Sequence, residues 1–228
     1  MQSRFSVVVS LVLLVILLFA KFTTKRMAWS TGDISFIALK ADLNDGFAIV
    51  TFVDIPPNTT LFFSDSEWNG TRFGMDESTL IWNNDGHNIA AGTVIVFENI
   101  NSDAEASYGK LIGNMNLSRK SEAIFAYVGQ APRQPTKFIA AVANAKGGFG
   151  TLINTGLEEK NAAIIYPEGT YFAEYLGPRD SLKKASAFKE ITTASNYVFN
   201  HSDTNISLSG NTNRWAFNPK SFTFLRAR

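Results

Sequence analysis

The sequence predicts an all-β fold: a single β-sandwich, immunoglobulin-like or related, with at most one or two short helices. Three observations carry this expectation. Short apolar runs rich in Phe, Val and Ile recur along the chain, and Phe is used 19 times against 4 Trp and 6 Tyr. Aromatic and β-branched side chains fit a pleated, half-buried surface. Turn residues punctuate those runs about every 8 to 12 positions, the spacing of sandwiches and barrels. A length of 228 residues with 45% apolar content is enough for one substantial core.

The elements follow in order. Ile34, Phe36 and Ala38 alternate with Ser35, Ile37 and Leu39, a strand with both faces at least partly covered. Asn44-Asp45-Gly46 tolerates positive φ and reads as a hairpin turn. Phe47 to Val53 is the partner strand, broken at Pro56-Pro57 because proline cannot donate to a ladder. Thr60 to Ser64 is a third strand, and Leu80-Ile81-Trp82 and Thr93 to Phe97 continue the series. Ala123 to Val128 and Phe138 to Val142 read as a pair joined through Pro132 to Pro135, and Gly147 to Gly150 as a flexible loop. Ala162 to Tyr166 and Tyr171 to Tyr175 flank the turn Pro167-Glu168-Gly169. Ser181 to Ile191 is the one helix, with Leu182, Ala185, Phe188 and Ile191 recurring every third residue and Asp180 or Ser181 as its cap. Tyr197-Val198-Phe199 and Phe222-Thr223-Phe224 close the chain.

Composition narrows the function classes. The 21 basic and 20 acidic residues nearly cancel, and no basic stripe stands out, so nucleic acid is not an expected partner. With no cysteine, disulfides, thiolate metal sites and Cys nucleophiles are excluded together, which also favours a bacterial source over a secreted eukaryotic one. Arg4 precedes an apolar run from Ser6 to Ala20, the pattern of an export segment. It reads as a cleaved signal peptide or, because Lys21, Lys25 and Arg26 follow at once and Leu18 is not small, an uncleaved anchor. The expected organisation is a signal peptide or anchor over 1–20, a linker over 21–31 and a sandwich domain over 32–228. The protein is then secreted, periplasmic or at the cell surface, touching membrane only through an uncleaved N-terminus.

The candidate chemistry sits at the tip Asp65-Ser66-Glu67-Trp68-Asn69. If the third strand continues, Asp65 and Glu67 lie on one face with Cα atoms about 6.5 Å apart. Two such carboxylates are hard ligands for Ca²⁺, or an acid/base pair for a hydrolase; the plainer alternative is that Asp65 caps a turn and Glu67 is solvated. Trp68 with Asn69 offers ring stacking and hydrogen bonding to a glycan; the alternative is packing. Asp42 to Gly46 superficially resembles a calcium loop, but the EF-hand ligand positions fall on Gly46 and Val53. His87 and His201 are too few and too far apart for a catalytic zinc site. No nucleophile elbow, Walker or Rossmann glycine pattern occurs, so no enzyme and no cofactor beyond Ca²⁺ is expected. Five Asn-x-Ser/Thr sequons, at Asn58, Asn69, Asn116, Asn200 and Asn205, carry weight only in a eukaryotic source.

One set of residues forms a longer pattern: Gly32-Asp33-Ile34, Asn44-Asp45-Gly46-Phe47-Ala48, Val53-Asp54-Ile55-Pro56, Thr59-Thr60 and Phe63-Ser64-Asp65-Ser66-Glu67-Trp68. It resembles an uncharacterised β-rich domain family of secreted bacterial proteins, and the resemblance runs through Ala91-Gly92-Thr93-Val94, Pro135 to Ala141 and Thr155-Gly156-Leu157 to about residue 200. The family's plan is similar to the immunoglobulin-like sandwich of lamin tails. The resemblance implies no established activity and hence no catalytic residues. The family's C-terminal sorting tail is not recognisable after residue 200, so the chain reads as a stand-alone copy. The expected function is a non-catalytic extracytoplasmic module for surface attachment or interaction, with an extracellular protein or glycan as partner. A calcium-dependent or carbohydrate-binding lectin-like domain is the alternative, and a hydrolase using Asp65 and Glu67 comes third.

Overall fold

The computed structural model describes residues 27–42, 44–179 and 184–200. The export segment, Leu182, the Asp180 or Ser181 cap, His201, Asn205 and Phe222-Thr223-Phe224 lie outside the described residues. Among the described residues two sheets pack face to face, the all-β sandwich that the strand pattern predicts.

The first sheet contains β1 (Ile34–Lys40), β2 (Gly46–Thr51) and β5 (Val94–Glu98). It also takes β6 (Glu105–Ala106), β12 (Phe172–Tyr175) and β13 (Tyr197–Asn200), in the order β13-β12-β1-β2-β5-β6. The second sheet is built on β3 (Thr60–Ser64), β4 (Thr79–Asn83), β8 (Ala123–Ala131) and β9 (Gln134–Ala143). The short strands β7 (Lys110–Ile112), β10 (Glu158–Glu159) and β11 (Ala162–Ile165) complete it in the order β10-β11-β9-β8-β3-β4-β7. Pairing is antiparallel except where β11 runs parallel to β9 and to β10. The helix α1 spans Lys184–Ile191, with Ala187, Phe188 and Ile191 buried.

All seven residues of β1 are buried, because its inner face meets the opposite sheet and its outer face is covered as well. A register shift between Phe36 and Ala38 against β2 adjusts the pleat. The turn into β2 uses positive φ at Asp42 (69°) and Asn44 (48°), as the sequence requires. Gly46 pairs with Lys40, and a Cβ there would stand 2.6 Å from the Phe97 carbonyl oxygen, so only glycine lets β5 approach. Inside the sandwich Phe36, Phe47, Phe63 and Phe97 form one ring cluster, with Phe47 stacked on Phe97 at 4.5 Å.

The second sheet is apolar on both faces. Phe63, Ile124, Ala126 and Ile139 belong to the core shared with the first sheet, while Phe62, Phe125, Tyr127 and Phe138 belong to a separate cluster. Alternation along each strand puts the second set on the outer face. Two loops, 65–78 and 144–157, cover that face with Trp68, Phe73, Phe149 and Leu157. The Gly147-Gly148-Phe149-Gly150 segment, expected to be flexible, is therefore part of a packed layer: Phe149 is buried and meets Phe125 edge-on at 5.6 Å.

Candidate functional site

The tip after β3 folds as a closed loop rather than as a continued strand. β3 ends at Ser64, and Asp65 turns inward, where its Oδ1 accepts the Ser78 backbone N–H at 2.8 Å. Asp65 is 4% exposed, whereas Glu67 faces solvent. The shared strand face presumed for Asp65 and Glu67 is thus not formed, because β3 stops three residues short of Glu67.

Trp68 is corrected likewise as an open stacking surface. It is 5% exposed, packed edge-on against Phe138 at 4.9 Å and Phe73 at 5.1 Å, and its Nε1 donates to the Ile153 carbonyl at 2.9 Å. Its backbone ties the two covering loops together. The Trp68 N–H donates to the Phe149 carbonyl at 3.0 Å, and the Thr151 N–H donates to the Trp68 carbonyl at 2.9 Å. Asn69 is exposed, but its Oδ1 accepts from the Thr71 N–H, the Thr71 hydroxyl and the Arg72 N–H at 2.9 to 3.0 Å. Its carbonyl group holds an Asx turn in place of a ligand. The His87 ring meets Tyr108 edge-on at 6.1 Å. Among the described residues no group of three His, Asp or Glu side chains is placed to hold a metal ion.

The structure instead gathers carboxyls that the sequence keeps far apart. Ser64 pairs with Thr79 on one side and Phe125 on the other. This register brings Asp65, Glu77 and Glu122 into electrostatic contact at one end of the sandwich. Burial pushes the Asp65 carboxyl up to about 6, against help from the Ser78 amide and the Arg133 charge. Burial, then repulsion from Asp65, Glu67 and Asp76, pushes Glu77 up to about 7. Burial again dominates at Glu122, raised to about 8, with Glu77 and Asp65 adding repulsion. Arg133 reaches over from the β8–β9 turn and donates through Nη2 to the Glu77 carbonyl.

Beside this cluster another buried acid, Asp45, sits at the β1–β2 turn with no exposure. Its Oδ2 accepts the Leu117 N–H at 2.7 Å, and burial raises it to about 6. Lys40, 5% exposed, lies near it and near Glu98, 3.9 Å away; burial lowers its pKa. What joins both groups is the segment 115–119, which crosses the end of the sandwich from the first sheet to the second.

Chemically Asp65, Asp45 and Glu122 are placed to accept backbone amides, from Ser78, Leu117 and Ser118. Glu77 and Glu122 carry no local motif, and Asp45 stands out in the sequence only as a turn residue. The one sequence signal for the covering layer is the run of consecutive apolar residues on strands, such as Leu61-Phe62-Phe63 and Ile124-Phe125-Ala126-Tyr127. Such strands need cover on both faces. No family model matches the chain, and neither a curated protein nor a solved structure does.

Proposed function

We propose that the chain is a non-catalytic extracytoplasmic β-sandwich module for surface attachment or interaction, of the secreted bacterial type that its 32–68 pattern resembles. One observation carries the reading. The most patterned residues, Asp65, Trp68 and Asn69, are engaged in building a rigid double loop, while that loop layer presents Met75 at 76% and Ile153 at 66% exposure. Large apolar side chains held outward on loops of a rigid scaffold are what a contact surface requires. The partner is an extracellular protein or glycan. Nucleic acid is not a partner, and membrane contact is limited to an uncleaved N-terminus.

The test is adhesion of the exported protein to intact cells of its own source, with wild type compared against Met75→Lys and Ile153→Lys. Exposed substitutions change stability by about 0.5 kcal/mol or less, so folding is preserved. Binding lost in both variants at unchanged melting temperature supports the reading. A hydrolytic activity in wild type that Asp65→Asn removes overturns it in favour of an enzyme.

A further inference from the structure

We propose that the double-loop face around Met75 and Ile153 takes a protein, through an apolar pocket with a basic rim, and not a glycan. The inference rests on the contact-surface reading above and names the chemical class of its partner.

The two covering loops fix where the exposed side chains stand. Residues 67–74 fold back as a small hairpin. The Gly74 N–H donates to the Glu67 carbonyl at 3.0 Å, the Asn69 N–H donates to the Arg72 carbonyl at 3.1 Å, and Trp68 and Phe73 form an antiparallel bridge. Met75 follows at the base of this hairpin. Ile153 stands at its tip, where a Cβ built on Gly70 would lie 3.9 Å from the Ile153 Cβ. With about 3.3 Å per extended residue, base and tip are on the order of 10 Å apart. Both side chains therefore fit within one contact patch of about 800 Å² per partner.

A glycan needs two things from such a face: ring surfaces to stack on, and side-chain donors and acceptors for its hydroxyls. The rings of this layer are turned inward, with Trp68, Phe73 and Phe149 at 5%, 2% and 4% exposure. Its uncharged polar side chains are bonded to the loops themselves. Asn69 Oδ1 accepts from Thr71 and Arg72, and the Thr71 hydroxyl donates to that same oxygen. Asn154 Nδ2 donates to the Gly70 carbonyl at 2.9 Å, and the Thr155 hydroxyl donates to the Leu152 carbonyl at 2.6 Å. The Thr151 hydroxyl oxygen accepts the Ile153 N–H at 3.2 Å.

What the face leaves open is aliphatic and charged. Met75 and Ile153 are carried on a hydrogen-bonded scaffold, so little freedom is lost when they dock, and methionine adapts to an irregular apolar pocket. Charge sets the rim. Glu67 and Asp76, both exposed, flank the base: Gly74 is bonded to Glu67, and a Cβ built on Gly74 would lie 3.0 Å from Asp76 Oδ1. Arg72, also exposed, belongs to the tip. A pocket that receives Met75 between two carboxylates is complementary when Lys or Arg stands at its edge.

The experiment measures binding of the exported protein to intact cells of its own source: untreated, after surface proteolysis, and after periodate oxidation of surface sugars. The expected result is full binding after periodate and a loss of about tenfold or more after proteolysis, with wild-type binding weakened by salt. Glu67→Lys combined with Asp76→Lys, at exposed positions that leave folding intact, is expected to lower binding by about tenfold. Binding lost after periodate overturns the inference, whether or not proteolysis also removes it. So does binding that survives proteolysis, or a double variant that binds as well as wild type. In each of these cases, loss of binding in Met75→Lys and Ile153→Lys keeps the contact surface and changes only its partner. Binding retained by both of those variants sinks the contact surface itself, and the partner class with it. Should the double variant melt early, the salt dependence of wild type decides the rim, and binding that is flat with salt overturns it.

Discussion

Replacing Trp68 by Ala separates a structural tryptophan from a ligand platform. The side chain is 5% exposed, touches Phe73 and Phe138 edge-on, and donates one hydrogen bond to the Ile153 carbonyl. Truncating a buried Trp to Ala removes its transfer free energy and leaves a cavity, about 3–5 kcal/mol together. The pair geometry and the hydrogen bond lie within that sum, each worth about 1 kcal/mol. For a domain of this size each kcal/mol moves the midpoint by about 2–4 °C, so a fall of roughly 6–20 °C is expected. The assay is thermal unfolding followed by near-ultraviolet circular dichroism, with Trp68→Phe as the milder partner. A Trp68→Ala midpoint within about 2 °C of wild type would refute the packed role, since surface changes are that small.

Three further outcomes follow from the same geometry. Gly150→Ala forces a side chain onto a backbone at φ 68° with its Cβ 2.6 Å from the Trp68 carbonyl oxygen. The strain alone is about 1–3 kcal/mol, read as a lowered urea midpoint, and an unchanged midpoint would count against the loop pairing. Asn84 has no exposure, accepts the Thr59 N–H at 2.8 Å and donates to the Pro56 and His87 carbonyls at 2.7 Å each. Asn84→Ala takes this partner from the Thr59 N–H and the His87 carbonyl, while the Pro56 carbonyl keeps the Thr59 hydroxyl, and is expected to destabilise by about 2 kcal/mol or more in chemical denaturation; a loss under about 1 kcal/mol contradicts this. Because Asp65 is inside and Glu67 outside, millimolar calcium or chelator is expected to leave the melting temperature unchanged, and a calcium-dependent rise would restore the paired-ligand reading.

The strands were legible where a run of apolar residues was long enough. β1, β2, β3, β5, β8 and β9 were each anticipated within a few residues, as were Asn44-Asp45-Gly46 and the helix ending at Ile191. The two- and three-residue edges β6, β7 and β10 were not, because so short a stretch has no period to read. The tip Asp65 to Asn69 was expected to carry on from β3 as strand, and the structure folds it as a loop. Its residue types suit a site, but its backbone leaves the strand at Ser64, three residues before Glu67, so the strand spacing does not apply to Asp65 and Glu67.

By itself the sequence determined which longer segments form strands, where the chain turns, and that no thiol chemistry is available, since these depend on periodicity, turn residues and composition. Tertiary structure alone decided the rest. Phe73 and Phe149 stand in polar or Gly-rich loops and acquire meaning only when those loops lie on the outer face of the second sheet. Asp45, Asp65 and Glu122 are far apart along the chain, and only strand register and the crossing of 115–119 bring them together. Proximity across sheets is set by long-range packing, which no local pattern encodes, and the charge state of those acids follows from the burial that packing creates.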